Sequence, residues 1–221
     1  MKTVVITGAS RGIGAQLARL YAQEGARVIG GVRTIGAAPQ GVELRVLDVA
    51  EPASTSAFAK GLAGEAVDIL INNAGVIGPH SSTTLEPMDF EAFAQCLAVN
   101  TLGPLRVSQA LLGSLRAARG AKLAIISSQM GASDYASSSD IAYQASKAAV
   151  NKLAIGLARD LKREGIAVAA IHPGWVRTDM GGPGAHLDPV ESAMGVKAVI
   201  DGLDIGSTGR FWNWDGADRT W

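Results

Sequence analysis

The chain of 221 residues holds a single cysteine, Cys96, which excludes an internal disulfide and a thiolate metal cluster. Its surroundings, AFAQCLAVN, read as a helix face, where a lone thiol is a buried, inert residue. Net charge is also missing: 20 Lys+Arg stand against 20 Asp+Glu. That balance offers no electrostatic footprint for nucleic acid or an anionic membrane. No apolar run approaches the roughly 18 residues needed to cross a bilayer. The opening MKTVVITGAS has too short an apolar stretch for a secretory signal. These absences predict a soluble, cytoplasmic protein. His80, His172 and His186 fall in unrelated segments without ligand spacing, so no metal site is expected.

What is present is a regular alternation. Short β-branched runs (TVVIT from Thr3, RVIGGV from Arg27, ELRVL from Glu43, DILI from Asp68, KLAII from Lys122, AVAAI from Ala167, GRFWNW from Gly209) are separated by alanine- and leucine-rich stretches. The latter predict helices near 13–24, 53–63, 89–117, 142–164 and 189–202, the last with Asp188 as cap and Pro189 in its first turn. Several strands are continuously apolar, as strands covered on both faces are. The expectation is an α/β fold with a doubly wound, seven-stranded parallel sheet and helices on both faces. No repeat or linker interrupts it, so residues 1–221 read as one domain.

Directly after the first strand comes Thr7-Gly8-Ala9-Ser10-Arg11-Gly12-Ile13-Gly14, then the helix former AQLARLYAQEG. Glycines there turn the chain tightly and let its backbone approach a pyrophosphate resting on the helix N-terminus. This is the expectation for a Rossmann nucleotide-binding fold. A fold binding NAD places an acid near the end of the second strand for the ribose 2′-hydroxyl. Here VIGGVRT ends on Arg33 with no acid, and Arg11 adds a cation within the loop. Two guanidinium forks suit a 2′-phosphate, so NADP(H) is preferred over NAD(H); the alternative is two solvated surface arginines. Asp48 comes too late for the ribose and reads as a residue of the adenine edge.

Tyr143 and Lys147 lie one turn apart in AYQASKAA and share a helix face. A phenol near pKa 10 is a poor acid-base group unless its anion is stabilised, and a neighbouring ammonium supplies that. Alone, the pair is compatible with an ordinary helix surface. Ser127 and Ser128, however, close the KLAII strand at the sheet edge where ligands bind, and a hydroxyl there can donate to a carbonyl oxygen as charge develops.

With TGASRGIG from Thr7, NNAG from Asn72, Asn100, Ser127-Ser128, YQASK from Tyr143 and PGWVRTDM from Pro173 in that order, the chain resembles the short-chain dehydrogenase/reductase family over almost its whole length. ISSQMG before the tyrosine and FWNWDG near the end resemble the small carbonyl-reductase branch that includes C-factor and sniffer proteins. The resemblance implies an oxidoreductase interconverting a carbonyl and an alcohol. It makes Tyr143 the general acid-base, with Lys147 lowering its pKa and binding the nicotinamide ribose. Ser128 polarises the carbonyl, and Asn100 holds a water that joins Lys147 to a proton relay. It places Gly8, Ser10, Arg11, Gly12, Ile13, Gly14, Arg33, Asp48, Val49, Asn73, Ala74, Gly75, Pro173, Gly174, Val176 and Thr178 against the cofactor. A small-molecule substrate and a homodimer or homotetramer are further implications. The alternative is a cofactor-binding sensor or intercellular-signalling protein with little turnover.

Two departures from the family pattern stand out. Ser128 and Tyr143 are fifteen residues apart, longer than the usual spacing, with a polar insert, DYASSSD, from Asp134. Little chain separates Met180 from the helix at Pro189, which predicts a reduced lid and an open site.

Overall fold

A computed structural model describes residues 1–221. Its centre is one sheet built from β1 (Thr3–Thr7), β2 (Arg27–Val32), β3 (Val42–Val46), β4 (Ile69–Asn72), β5 (Lys122–Ile126), β6 (Ala167–His172), β7 (Arg210–Asn213) and β8 (Asp218–Arg219). The spatial order is β3-β2-β1-β4-β5-β6-β7-β8. The first seven strands run parallel, and β8 pairs antiparallel with β7. The sheet therefore has eight strands, where the sequence predicts seven. Two residues are too short to carry a hydrophobic period. The eighth strand comes instead from the turn at Asp215-Gly216, where Asp215 accepts from the Ala217 N–H and Asn213 Nδ2 and Gly216 adopts φ 86°.

The helices are α1 (Gly12–Gln23), α2 (Pro52–Lys60), α3 (Phe90–Leu97), α4 (Gly103–Ala110), α5 (Leu112–Ala117), α6 (Ile141–Leu161) and α7 (Pro189–Gly202). The continuous apolar strands are explained by their alternation. On β4, Leu70 enters the core cluster under α4 and α5, while Ile69 and Ile71 enter the one under α1 and α7. Val5 on β1 likewise faces opposite to Val4 and Ile6. Both faces of the sheet are thus dry, and each fully buried aliphatic side chain contributes roughly 1.5–3 kcal/mol.

The stretch predicted as one helix over 89–117 is divided. Asp89 caps α3 by accepting the Ala92 N–H, then a π-helical turn spans Ala98–Leu102 before α4 and α5. Pro104, in the first turn of α4, has no N–H to continue a regular ladder. The other predicted helices differ only at their ends: α2 stops at Lys60, and a 3-10 turn takes over after Leu161. Asp188 caps α7 through the Val190 N–H, as expected.

Candidate active site

From β1 the chain builds outward to β2 and β3, then crosses back to place β4 on the other side of β1. Such a reversal opens a crevice at the carboxyl ends of the strands. The loops after β1, β4, β5 and β6 carry the glycine motif, NNAG, Ser127-Ser128 and PGWVRTDM, while Asn100 sits in a π-helical turn and Tyr143 and Lys147 on α6.

The glycine loop joins β1 to α1. Gly8 and Gly12 adopt φ of 69° and 55°, the left-handed region. A Cβ on Gly8 would lie 2.9 Å from the Ala74 Cα, and one on Gly14 2.3 Å from the Gly8 carbonyl oxygen. The NNAG segment after β4 is sewn to this loop. The Asn73 and Ala74 N–H groups each donate to Thr7 Oγ1 at 3.0 Å, and Asn73 Nδ2 donates to the Thr7 and Gly8 carbonyls at 3.0 and 3.1 Å. The Asn73 side chain therefore shapes the turn. No side chain caps the start of α1 at Arg11, so its first-turn N–H groups face the crevice unclaimed, with Ser10 exposed and Ile13 half-buried beside them. A tight backbone cradle at an uncapped helix start fits a pyrophosphate.

On the β2–β3 side of the crevice, Arg33 follows β2, exposed and outside every ion pair. Asp48 accepts the Ala50 N–H at 2.9 Å, and its own N–H donates to Ser54 Oγ at 2.9 Å, fixing the turn into α2. Val49 is buried against Gly103, where an added Cβ would come within 2.9 Å of its methyl. Arg11, unlike Arg33, is paired: its Nη1 lies 2.7 Å from Asp179 Oδ2, with both side chains 73% exposed. Such pairs are worth about 0–1 kcal/mol, too little to withhold the guanidinium from a phosphate.

Residues 173–178 close the opposite wall. Ser192 Oγ on α7 donates to the Pro173 carbonyl at 2.6 Å. Gly174, at φ 85°, lets Leu187 approach to 2.6 Å of where a Cβ would be, and Val176 bridges to Leu187. Thr178 packs on Gly12, so this segment reaches the glycine loop. Ala185 and Leu187 are buried on residues 174–177, and the short stretch 181–188 is folded down against that wall.

The polar cluster lies between α6, β5 and the π-helical turn. Tyr143 and Lys147 are both buried, and Lys147 Nζ sits 5.5 Å from the Tyr143 ring centre. Lys147 donates to the Ile126 carbonyl at 2.8 Å, on the last residue of β5. Of the following serines, Ser127 donates to Asn151 Oδ1 at 2.5 Å on α6 and is held in the scaffold. Ser128 lies beside the Tyr143 hydroxyl, near enough to lower its pKa, and accepts the Met130 N–H at 3.1 Å. Asn100 sits in the π-helical turn, a local widening that often marks a functional residue. Its Nδ2 donates to the Val76 carbonyl at 2.8 Å and to Ser146 Oγ at 3.0 Å, and its Oδ1 accepts the Val76 N–H at 2.9 Å. One Oδ1 lone pair stays free. Both Asn100 Oδ1 and Lys147 Nζ converge on Gly75, within 3.3 and 3.8 Å of where its Cβ would lie.

Burial pushes the Tyr143 phenol up to about 12, and the neighbouring Ser128 hydroxyl pulls it partly back. Burial also brings Lys147 down to about 8. The Lys147 ammonium donates to the Ile126 carbonyl and stands 5.5 Å from the Tyr143 ring centre. The Cys96 thiol is buried and pushed up, against Ser146 and the Ala142 carbonyl, as an inert thiol should be.

Three features escape the sequence reading. Gly131 is wedged on α6, where a Cβ would lie 2.4 Å from the Lys147 carbonyl carbon. His172, at the end of β6, is buried with its Nδ1 unpartnered, and desolvation lowers it to about 4. Asp179 reaches across to Arg11. Nothing in residue type or spacing announces these, since each depends on which loops meet. The insert after Asp134 does bulge outward: residues 133–138 are exposed and irregular.

The sequence profile of the short chain dehydrogenase family matches residues 2–186. The chain belongs to that family. Among similar members, C-signal of Myxococcus xanthus is 41% identical over 168 residues, which cover 75% of this chain and 99% of that protein. The NADPH-bound carbonyl reductase from chicken fatty liver is 29% identical, with a TM-score of 0.88 over 100% of this chain and 99% of that one. The Drosophila melanogaster carbonyl reductase Sniffer is 27% identical, with a TM-score of 0.90 over 100% of both chains. This short-chain dehydrogenase is thus an oxidoreductase by family, similar to carbonyl reductases. None of its helices is long and apolar enough to cross a membrane.

Proposed function

We propose that this short-chain dehydrogenase is an NADP(H)-dependent carbonyl reductase, interconverting an aldehyde or ketone with its alcohol, with Tyr143 as acid-base. The observation that carries the reading is the buried Tyr143 phenol, beside the buried Ser128 at the carboxyl edge of the sheet and one turn from the buried Lys147. The backbone cradle of Gly8, Gly12 and Gly14 fits a dinucleotide pyrophosphate, and Asn73, Ala74 and Gly75 form its far side. Asp48 and Val49 adjoin the adenine, and Pro173, Gly174, Val176 and Thr178 the nicotinamide. The absence of an acid after β2, with Arg33 exposed there and Arg11 near, favours the 2′-phosphorylated form.

When bound, the nicotinamide supplies the hydride that reduces the carbonyl carbon. Tyr143, kept protonated by its burial, gives its proton to the carbonyl oxygen. Ser128 donates a second hydrogen bond to that oxygen as charge gathers on it. Lys147, with a pKa of about 8, exchanges protons near neutrality and holds the cofactor ribose. Asn100, through its free lone pair, carries the relay from Lys147 towards solvent.

A second reading, a cofactor-binding signalling protein with little turnover, is favoured by the similarity to C-signal. The buried and hydrogen-bonded acid-base cluster weighs against it, because a scaffold has no need to keep a desolvated lysine. Steady-state NADPH oxidation across small aldehydes, ketones and diones separates the two. The enzyme reading predicts carbonyl-dependent turnover with at least one class, and no turnover with any of them favours the signalling reading.

A further inference from the structure

Asp140 is the one non-glycine residue with a positive φ, 49°. It immediately precedes α6, whose third residue is Tyr143. An aspartate before a helix ordinarily caps it with its carboxylate. Asp140 makes no such cap, so its side chain is directed elsewhere.

It is directed to the loop after β4. Asp140 Oδ1 lies 3.0 Å from His80 Nδ1 and accepts the Ser81 N–H at 3.4 Å. In return, the Asp140 N–H donates to the Ser81 carbonyl at 2.8 Å, and the Ile141 N–H to Ser81 Oγ at 3.4 Å. Ser81 is buried in this junction. The loop it belongs to is itself anchored: Asn100 grips Val76, and Gly78, at φ 79°, packs on Cys96 Sγ. Two walls of the site, the loop beside Asn100 and the first turn of α6, are therefore joined at one strained residue. Strain of this kind persists only where surrounding bonds over-determine it.

We propose that Asp140 is a positioning residue for Tyr143, its clamp on Ser81 and His80 holding the first turn of α6 against the outward pull of the insert. The proposal rests on Tyr143 being the acid-base. Without the clamp, the phenol keeps its burial but loses its register with Ser128 and the substrate oxygen. Its effect falls on turnover, while the glycine loop that binds the cofactor is untouched.

The test compares Asp140→Gly with Asp140→Asn. Glycine accepts the left-handed backbone at no steric cost but removes the carboxylate; asparagine tolerates that backbone and keeps an Oδ1 acceptor. The expected result is a melting temperature for Asp140→Gly equal to or above wild type, with kcat down on the order of tenfold and the NADPH dissociation constant unchanged. Asp140→Asn restores most of the kcat. An Asp140→Gly protein with wild-type kcat overturns the proposal, and so does one losing NADPH affinity in step with kcat, since the damage is then general. Tyr143→Phe is measured alongside. Undiminished turnover there strikes the acid-base reading itself, whereas an inactive Tyr143→Phe with an unimpaired Asp140→Gly strikes only the clamp.

Discussion

Lys147 occupies a place that costs the fold stability. Its folded pKa, about 8, lies below the ordinary 10.5, so folding disfavours the ammonium and the unfolded chain binds the proton more tightly. The penalty is full below about pH 8 and disappears as pH rises towards the unfolded value. The shift corresponds to roughly 3 kcal/mol at neutral pH, offset by about 1–3 kcal/mol for the hydrogen bond to the Ile126 carbonyl. Lys147→Met is therefore expected to be about 1 kcal/mol more stable than wild type at pH 7 while losing activity. The order reverses at about pH 9.5, where the native lysine is neutral. Denaturant unfolding of both proteins at the two pH values checks this. A Lys147→Met protein less stable than wild type at pH 7 would mean that the ammonium is well solvated in the fold. The Tyr143–Lys147 pair was legible in the sequence because helical spacing alone puts the two residues on one face. Its electrostatics were not, because burial and the orientation of Nζ depend on β5 and the loop after it.

Elements made of one period were readable, and junctions between elements were not. The apolar runs gave strands β1 to β7 within a residue or two, and the cap at Asp188 gave α7. The break at 98–102 escapes the sequence reading because AVNTL holds neither glycine nor proline to mark it, and the π-helical turn serves Asn100. The 3-10 turn Gln129–Gly131 belongs to the same class. It is pressed on α6 at Gly131, and Asn151 Nδ2 holds the Gly131 carbonyl at 3.2 Å. Gly131→Ala would drive a methyl into the backbone of Lys147 and Ala148, which must shift. The expected cost is about 1–3 kcal/mol of stability and a fall in kcat of about 10- to 100-fold, read by thermal unfolding and steady-state kinetics. An alanine protein with wild-type kcat would show that the contact does not set the Lys147 position.

Across the molecule, strand order does what no motif does alone. The switch between β1 and β4 brings residues near 8, 74, 128, 143 and 174 to one crevice, with Arg33 exposed beside it after β2. The motifs that the sequence assigns to the candidate site converge there once the strand order is fixed, which is why the candidate site is legible from the fold class. The ties across it, Arg11 to Asp179 and Asp140 to Ser81, needed three dimensions. Cofactor choice belongs to this scale. Arg33→Ala is expected to weaken NADPH binding about 10- to 100-fold, the worth of one or two charge-assisted hydrogen bonds, and to leave NADH binding unchanged. Fluorescence titration of both nucleotides reads it, and an unaltered NADPH preference removes Arg33 from the phosphate site.

The most direct measurement is carbonyl-dependent NADPH oxidation by wild type and Tyr143→Phe, with NADPH binding measured on the same samples. Loss of the positioned acid is expected to lower kcat by about 10²- to 10⁴-fold at an unchanged NADPH dissociation constant. Equal turnover in the two proteins would contradict the account.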